Sequence, residues 1–222
     1  MTHERSEHSR ESAWFLYDHL GELARLNLLW LMTSVWILPL PAATTALAES
    51  IDRVADGRPC KPRDFFRATR RFARSATLLG TINAIVCLGL QVEMSFYAQR
   101  MEDLGWWSAV AWAVGAWLMV LHVSLVTIEV IVMARSGTGV RETIYQSWRI
   151  VRSAPGWVLQ GTVAAACVAC VFILSGIGGV LAGASAPAAL LVLRMRRRDG
   201  QGNVLPGGSS GRGIRAAFRP WE

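Results

Sequence analysis

Charge is what this sequence has least of. Only 18% of its residues are Asp, Glu, Lys or Arg, against roughly 25% in a typical soluble domain. Lysine is nearly missing, since Lys61 is the single basic residue of 23 that is not arginine. Cysteine is sparse at four residues (Cys60, Cys87, Cys167, Cys170), which excludes a disulfide framework in a chain of this length. No H-E-x-x-H, no G-x-S-x-G, no phosphate-binding glycine loop and no cluster of metal-ligand residues occurs. No enzyme, cofactor or metal centre is therefore expected. The first 25 residues carry Glu4, Glu7, Glu11, Asp18 and Glu22 and lack an apolar core before a cleavage site, so no signal peptide is expected either.

Apolar residues are abundant. They make up 52% of the chain, mean hydropathy is +0.31 and there are ten Trp. The net charge of +7 lies between and beyond the apolar runs, where membrane orientation and anionic headgroups account for it. No nucleic-acid partner is expected. The expected fold is all-α, a polytopic membrane helix bundle of about five transmembrane spans with two basic amphipathic surface helices.

A polar N-terminus and interfacial helix should occupy residues 1–25, a membrane domain 26–194, and a basic, Gly/Ser-rich disordered tail 195–222. Spans are expected near 26–48, 76–97, 106–134, 157–175 and 177–193. A hydrocarbon core of about 30 Å needs roughly 20 residues of helix. Pro39 and Pro41 interrupt the first run, so it is either a full span or a re-entrant hairpin whose freed backbone groups face protein. The 49–75 and 135–155 loops and the tail are basic, whereas 98–105 and the turn at Gly176, Gly178 and Gly179 are not. The positive-inside rule puts the basic segments and the C-terminus in the cytoplasm. A full first span would then leave the N-terminus outside, and a re-entrant hairpin would keep it inside.

Arg67, Arg70, Arg71 and Arg74 recur at i, i+3, i+4 and i+7, one face of a helix, with Phe65, Phe66, Thr69, Phe72, Ala73 and Ala76 on the other side. Such a helix reads as lying on a membrane surface, its arginines meeting anionic lipid or an acidic partner. Residues 141–154 repeat the pattern. Arg63/Arg141, Arg71/Arg149, Arg74/Arg152, Ser75/Ser153 and Ala76/Ala154 coincide, and Asp64/Glu142, Phe66/Ile144, Thr69/Ser147 and Phe72/Ile150 are alike. Each copy precedes a pair of apolar runs, which reads as a duplication. Arg149 and Arg152 thus join the candidate lipid or partner surface.

Three motifs in order, Asn27-Leu-Leu-Trp30, Leu38-Pro-Leu-Pro-Ala-Ala-Thr-Thr-Ala-Leu47 and Arg63-Asp-Phe-Phe66, resemble the YesL-like family of bacterial membrane proteins, a domain of unknown function. The resemblance covers residues 13–195, with Leu40-Pro41 standing where the family pattern has Gly-Pro. It implies a multi-pass protein of the bacterial plasma membrane that accompanies carbohydrate uptake, and no catalytic residue carries over from the family. A membrane transport complex is the partner it implies.

Within the apolar runs, Glu129 and His122 stand seven residues apart on one helical face. An ionisable residue inside a span is a functional-site candidate by default. Two readings are open: a proton- or solute-coupled transport site, or a structural arrangement in which Glu129 pairs with an Arg and His122 bonds a helix backbone. Gly179 and Gly183 offer a close-packing face for another helix. Cys167 and Cys170 read as small packing residues rather than a redox or metal pair.

Overall fold

A computed structural model of the chain describes residues 17–35, 39–174 and 184–200. Among these residues the regular structure is entirely helical, with no strands. In chain order the helices are α1 Leu20–Ser34, α2 Leu40–Ala55, α3 Pro62–Gln99, the short α4 Met101–Leu104, α5 Trp106–Ser136, α6 Val140–Ser153, α7 Pro155–Leu174 and α8 Ser185–Gly200. α3 and α5 are each long and apolar enough to cross a membrane, and α6 with α7 adds a third candidate if the bent pair is taken as one span.

The run at 26–48, which the sequence leaves open between a full span and a re-entrant hairpin, is two helices. Pro39 sits at the N-cap of α2 and Pro41 in its first turn, where a missing N–H costs no helix bond. The prolines therefore start a helix rather than kink one. At about 1.5 Å per residue, α1 and α2 are each under 25 Å long, short of the hydrocarbon thickness. They run antiparallel: Trp30 Nε1 donates to Thr44 Oγ1 at 3.2 Å, and Arg25 donates to the carbonyl of Cys60 beyond the far end of α2. The start of α1 thus lies at the end of the bundle that carries the 56–62 connection.

The 63–75 stretch is not a separate surface helix. It is the first third of α3, which continues unbroken for 38 residues, roughly 57 Å. Its arginine face is exposed as the spacing requires. The opposite face, Phe65, Ala68, Thr69, Phe72, Ala76 and Leu79, is buried in protein rather than lipid, on the side where α3 meets α2, α5 and α6. Phe66 and Ala73 stay exposed.

The second copy buries the same register. Thr143, Ser147 and Ile150 of α6 are its buried residues, matching Phe65, Thr69 and Phe72 position for position. The copies part at their ends. Pro155 follows Ala154 where Thr77 follows Ala76, and a residue before proline is driven out of the helical region. Ala154 has φ −154° and ψ 67°, and α7 leaves α6 at 103°.

α5 ends at Gly137, whose φ of 61° is left-handed and whose N–H bonds Met133 O at 3.0 Å. That glycine cap, favoured because it has no Cβ, turns the chain into α6 after three residues. At the opposite end of α5, Trp106 and Trp107 stack at 3.8 Å and are both exposed. The proposed turn at Gly176, Gly178 and Gly179, the packing glycines Gly179 and Gly183, residues 1–16 and the tail from 201 lie outside the described residues.

Candidate functional site

Glu129 is 2% exposed on α5, and it reaches across to α3. Asn83 Nδ2 donates to Glu129 Oε2 at 2.7 Å. His122, two turns earlier on α5, has its Nε2 3.2 Å from the backbone oxygen of the same Asn83. A carbonyl only accepts, so Nε2 carries the hydrogen. The two residues singled out from sequence are thus brought together through a third that was not, Asn83, whose side chain serves Glu129 and whose backbone serves His122. Glu129 has no arginine partner among the described residues, which corrects the structural pairing expected for it. His122 does bond a helix backbone across the bundle. An amide donor satisfies the carboxyl in either protonation state, because an oxygen acceptor remains in both.

A second polar layer gathers where α2, α3, α5 and α8 meet. Arg196 Nε donates to Asp52 Oδ1 at 2.6 Å, Arg196 Nη2 bonds the carbonyl of Asp52 and pairs with Asp56 Oδ1 at 2.7 Å. Arg135 Nε lies 3.8 Å from Asp52 Oδ1. One turn back, Glu49 holds Arg53 at 2.6 Å and also pairs with Arg71. The Arg196 and Asp52 side chains are only 15% and 22% exposed. Burial opposes the charge on Arg196, but its hydrogen bonds and Coulomb attraction to Asp52 and Asp56 outweigh that and raise its pKa. Removing charge from water is costly unless it is paired, and here it is paired on both sides.

Asn27 supplies a third fixed point. Its side chain is 1% exposed, and its Oδ1 accepts from the backbone N–H groups of Ala184 at 3.0 Å and Ser185 at 3.3 Å. These are donors at the start of α8 that the helix itself cannot satisfy. Close backbone approach adds a fourth: a Cβ at Gly80 would lie 2.5 Å from Pro41 Cγ.

The arginine faces divide. Arg71 is taken up by Glu49 and lies over the Phe72 ring at 4.5 Å, and Arg67 reaches Asp64 at 3.5 Å. Arg70, Arg74, Arg149 and Arg152 are exposed and have no ion-pair partner among the described residues. Cys167 and Cys170 are free thiols on the exposed side of α7, so they do not pack inward as their small size suggested. Among the described residues no group of three or more His, Cys, Asp or Glu is placed to hold a metal ion.

No family model matches the chain, and neither a curated protein nor a solved structure was found similar to it.

Sequence reasoning missed Asn83, Asp52, Asp56 and Asn27 as interhelical partners. Asn83 and Asn27 did carry a signal, each being an amide inside an apolar run that must find a bond there. Asp52 and Asp56 carried none beyond their place in a loop counted as basic.

Proposed function

We propose that this chain is an integral membrane protein that crosses the bilayer at α3, α5 and α7 and once more over the apolar run 177–193, with α1 and α2 as a re-entrant hairpin. On this reading its basic segments and both termini face the cytoplasm, and the membrane is the bacterial plasma membrane. It acts without catalysis, as an accessory or scaffold to a membrane transport complex. The observation that carries this is the use of its buried polar groups. Asn83–Glu129, Asp52–Arg196 and Asn27 with the start of α8 each join two helices, which suits a rigid body better than a moving gate. Arg67, Arg70, Arg74, Arg149 and Arg152 remain turned outward for anionic lipid or an acidic partner surface. The YesL-like resemblance supports carbohydrate uptake as the process served.

Purification from mild detergent tests this. A transport complex should copurify with the unaltered chain and be lost from the Arg67→Gln, Arg70→Gln, Arg74→Gln variant. A chain that runs alone and by itself moves a solute into vesicles would overturn the accessory role.

A second reading, a small proton- or solute-coupled transporter using His122 and Glu129, draws on the Asn83 bridge between them. It requires that Glu129→Gln abolish uptake in a protein that remains folded.

A further inference from the structure

The duplicated helices bury matching faces, so their outward faces can be compared position by position. Arg71 and Arg74 correspond to Arg149 and Arg152, arginine in both copies. Arg67 and Arg70 correspond to Tyr145 and Trp148. The second copy has thus exchanged two outward arginines for the two side chains that combine a large apolar ring with a polar atom. Both rings are uncovered: Tyr145 is 63% exposed and Trp148 58%. With Arg141, Arg149 and Arg152 they fill an outward arc of about 100° on α6.

The backbone says what covers that arc. α6 follows the apolar α5 after the three residues 137–139 and gives way to the apolar α7 at Ala154, turning by 103° there. α6 is therefore joined at both ends to apolar helices and stands at 103° to α7. The first copy has no such bend. α3 runs straight on, so Arg67 stands ten residues, about 15 Å, before Thr77 along the helix, beyond a headgroup layer only about 5–7 Å deep.

We propose that α6 lies in the cytoplasmic headgroup layer, with Tyr145 and Trp148 seated at the hydrocarbon boundary and Arg149 and Arg152 on the phosphates of anionic lipid. The corresponding Arg67 and Arg70 of α3 project past the headgroups and do not hold lipid. Amphipathic rings favour this depth, and arginines beside them meet the phosphate layer. The proposal rests on the reading of the chain as a membrane protein, and it divides the two arginine faces between lipid for α6 and protein for α3.

The test uses the full chain in vesicles of phosphatidylcholine with phosphatidylglycerol, its native cysteines replaced, and a spin label at one of four positions: Tyr145→Cys, Trp148→Cys, Arg67→Cys or Arg70→Cys. Membrane-dissolved oxygen should relax the label more than a water-soluble nickel chelate does at 145 and 148, with the order reversed at 67 and 70. Phosphatidylglycerol binding, read by native mass spectrometry, should weaken about fivefold for each arginine removed in Arg149→Gln and Arg152→Gln, and stay unchanged in Arg67→Gln. Chelate-dominated relaxation at 145 and 148 would overturn the proposal and make α6 a docking face for a soluble protein. Phosphatidylglycerol binding that ignores Arg149 and Arg152 would overturn the headgroup contact. Failure to copurify a transport complex would count against the accessory role and leave these depths unchanged.

Discussion

Asn83 and Glu129 are 46 residues apart in sequence and 2.7 Å apart across the α3–α5 interface. The bond ties the two longest described helices together, with Glu129 buried and Asn83 half-buried. Its character, amide to carboxyl rather than arginine to carboxylate, decides how the pair should respond to substitution. Asn83→Leu removes the donor and leaves a buried oxygen without it, a loss of about 1–3 kcal/mol. Glu129→Gln keeps an oxygen for Asn83 to bond and should cost about 1 kcal/mol or less. Melting temperatures in detergent should therefore fall clearly for the first variant and little for the second. Equal, large drops would mean that the charge of Glu129 itself holds the fold.

Arg196 joins α8 to α2, and its loss takes the cation from Asp56 and leaves Asp52 with Arg135 at 3.8 Å. Arg196→Gln should destabilise by about 3 kcal/mol, the lower end for a broken buried pair because Asp56 is partly exposed. Adding Asp52→Asn should cost much less than its effect alone, since the two belong to one network. A double-mutant cycle on detergent melting measures the coupling. Strict additivity would show the pair to be idle.

The Asp52–Arg196 link spans 144 residues, and nothing local in the sequence announces it. What was legible follows from periodicity. Long apolar runs gave α3 and α5, and the arginine spacing gave the exposed face of α3. Periodicity says that a face is apolar, not what covers it, so the Phe65–Phe72 side reads as meeting lipid where α2, α5 and α6 pack on α3. The prolines marked a break at residue 39 but did not decide between a full span and a hairpin; a second helix begins there. The repeat was legible in part: Thr69/Ser147 and Phe72/Ile150 are buried in both copies, whereas Phe66 is exposed where Ile144 is half-buried. Its different exits, straight at Thr77 and bent at Pro155, follow from one proline.

Asn27 caps α8 from another helix. Asn27→Ala should cost about 1 kcal/mol and loosen α8 locally, which hydrogen exchange of the 185–196 amides would detect as faster exchange. Unchanged exchange there would place the effect of Asn27 elsewhere.

Two glycines of α3 should behave in opposite ways. A Cβ at Gly80 meets the rigid ring of Pro41 at 2.5 and 2.8 Å, whereas one at Gly89 meets nothing within 4 Å. Gly80→Ala should destabilise by about 1–3 kcal/mol through overpacking. Gly89→Ala should be neutral or stabilise by up to about 1 kcal/mol, because glycine is the poorer helix former. Detergent melting of the two variants separates these outcomes. A harmless Gly80→Ala would mean that α2 and α3 are not in close contact.

The proposed topology puts both ends of the chain on the basic side, with α1 and α2 returning without crossing. Single cysteines at Gly21, Arg63, Asp103 and Thr138, in a chain whose Cys60, Cys87, Cys167 and Cys170 are replaced, can be probed in intact cells with an impermeant thiol reagent. The predicted result is labelling at Asp103 alone, with Gly21, Arg63 and Thr138 reacting only after the cells are opened. Labelling of Gly21 from outside would contradict the hairpin, and labelling of Arg63 or Thr138 from outside would contradict the orientation itself.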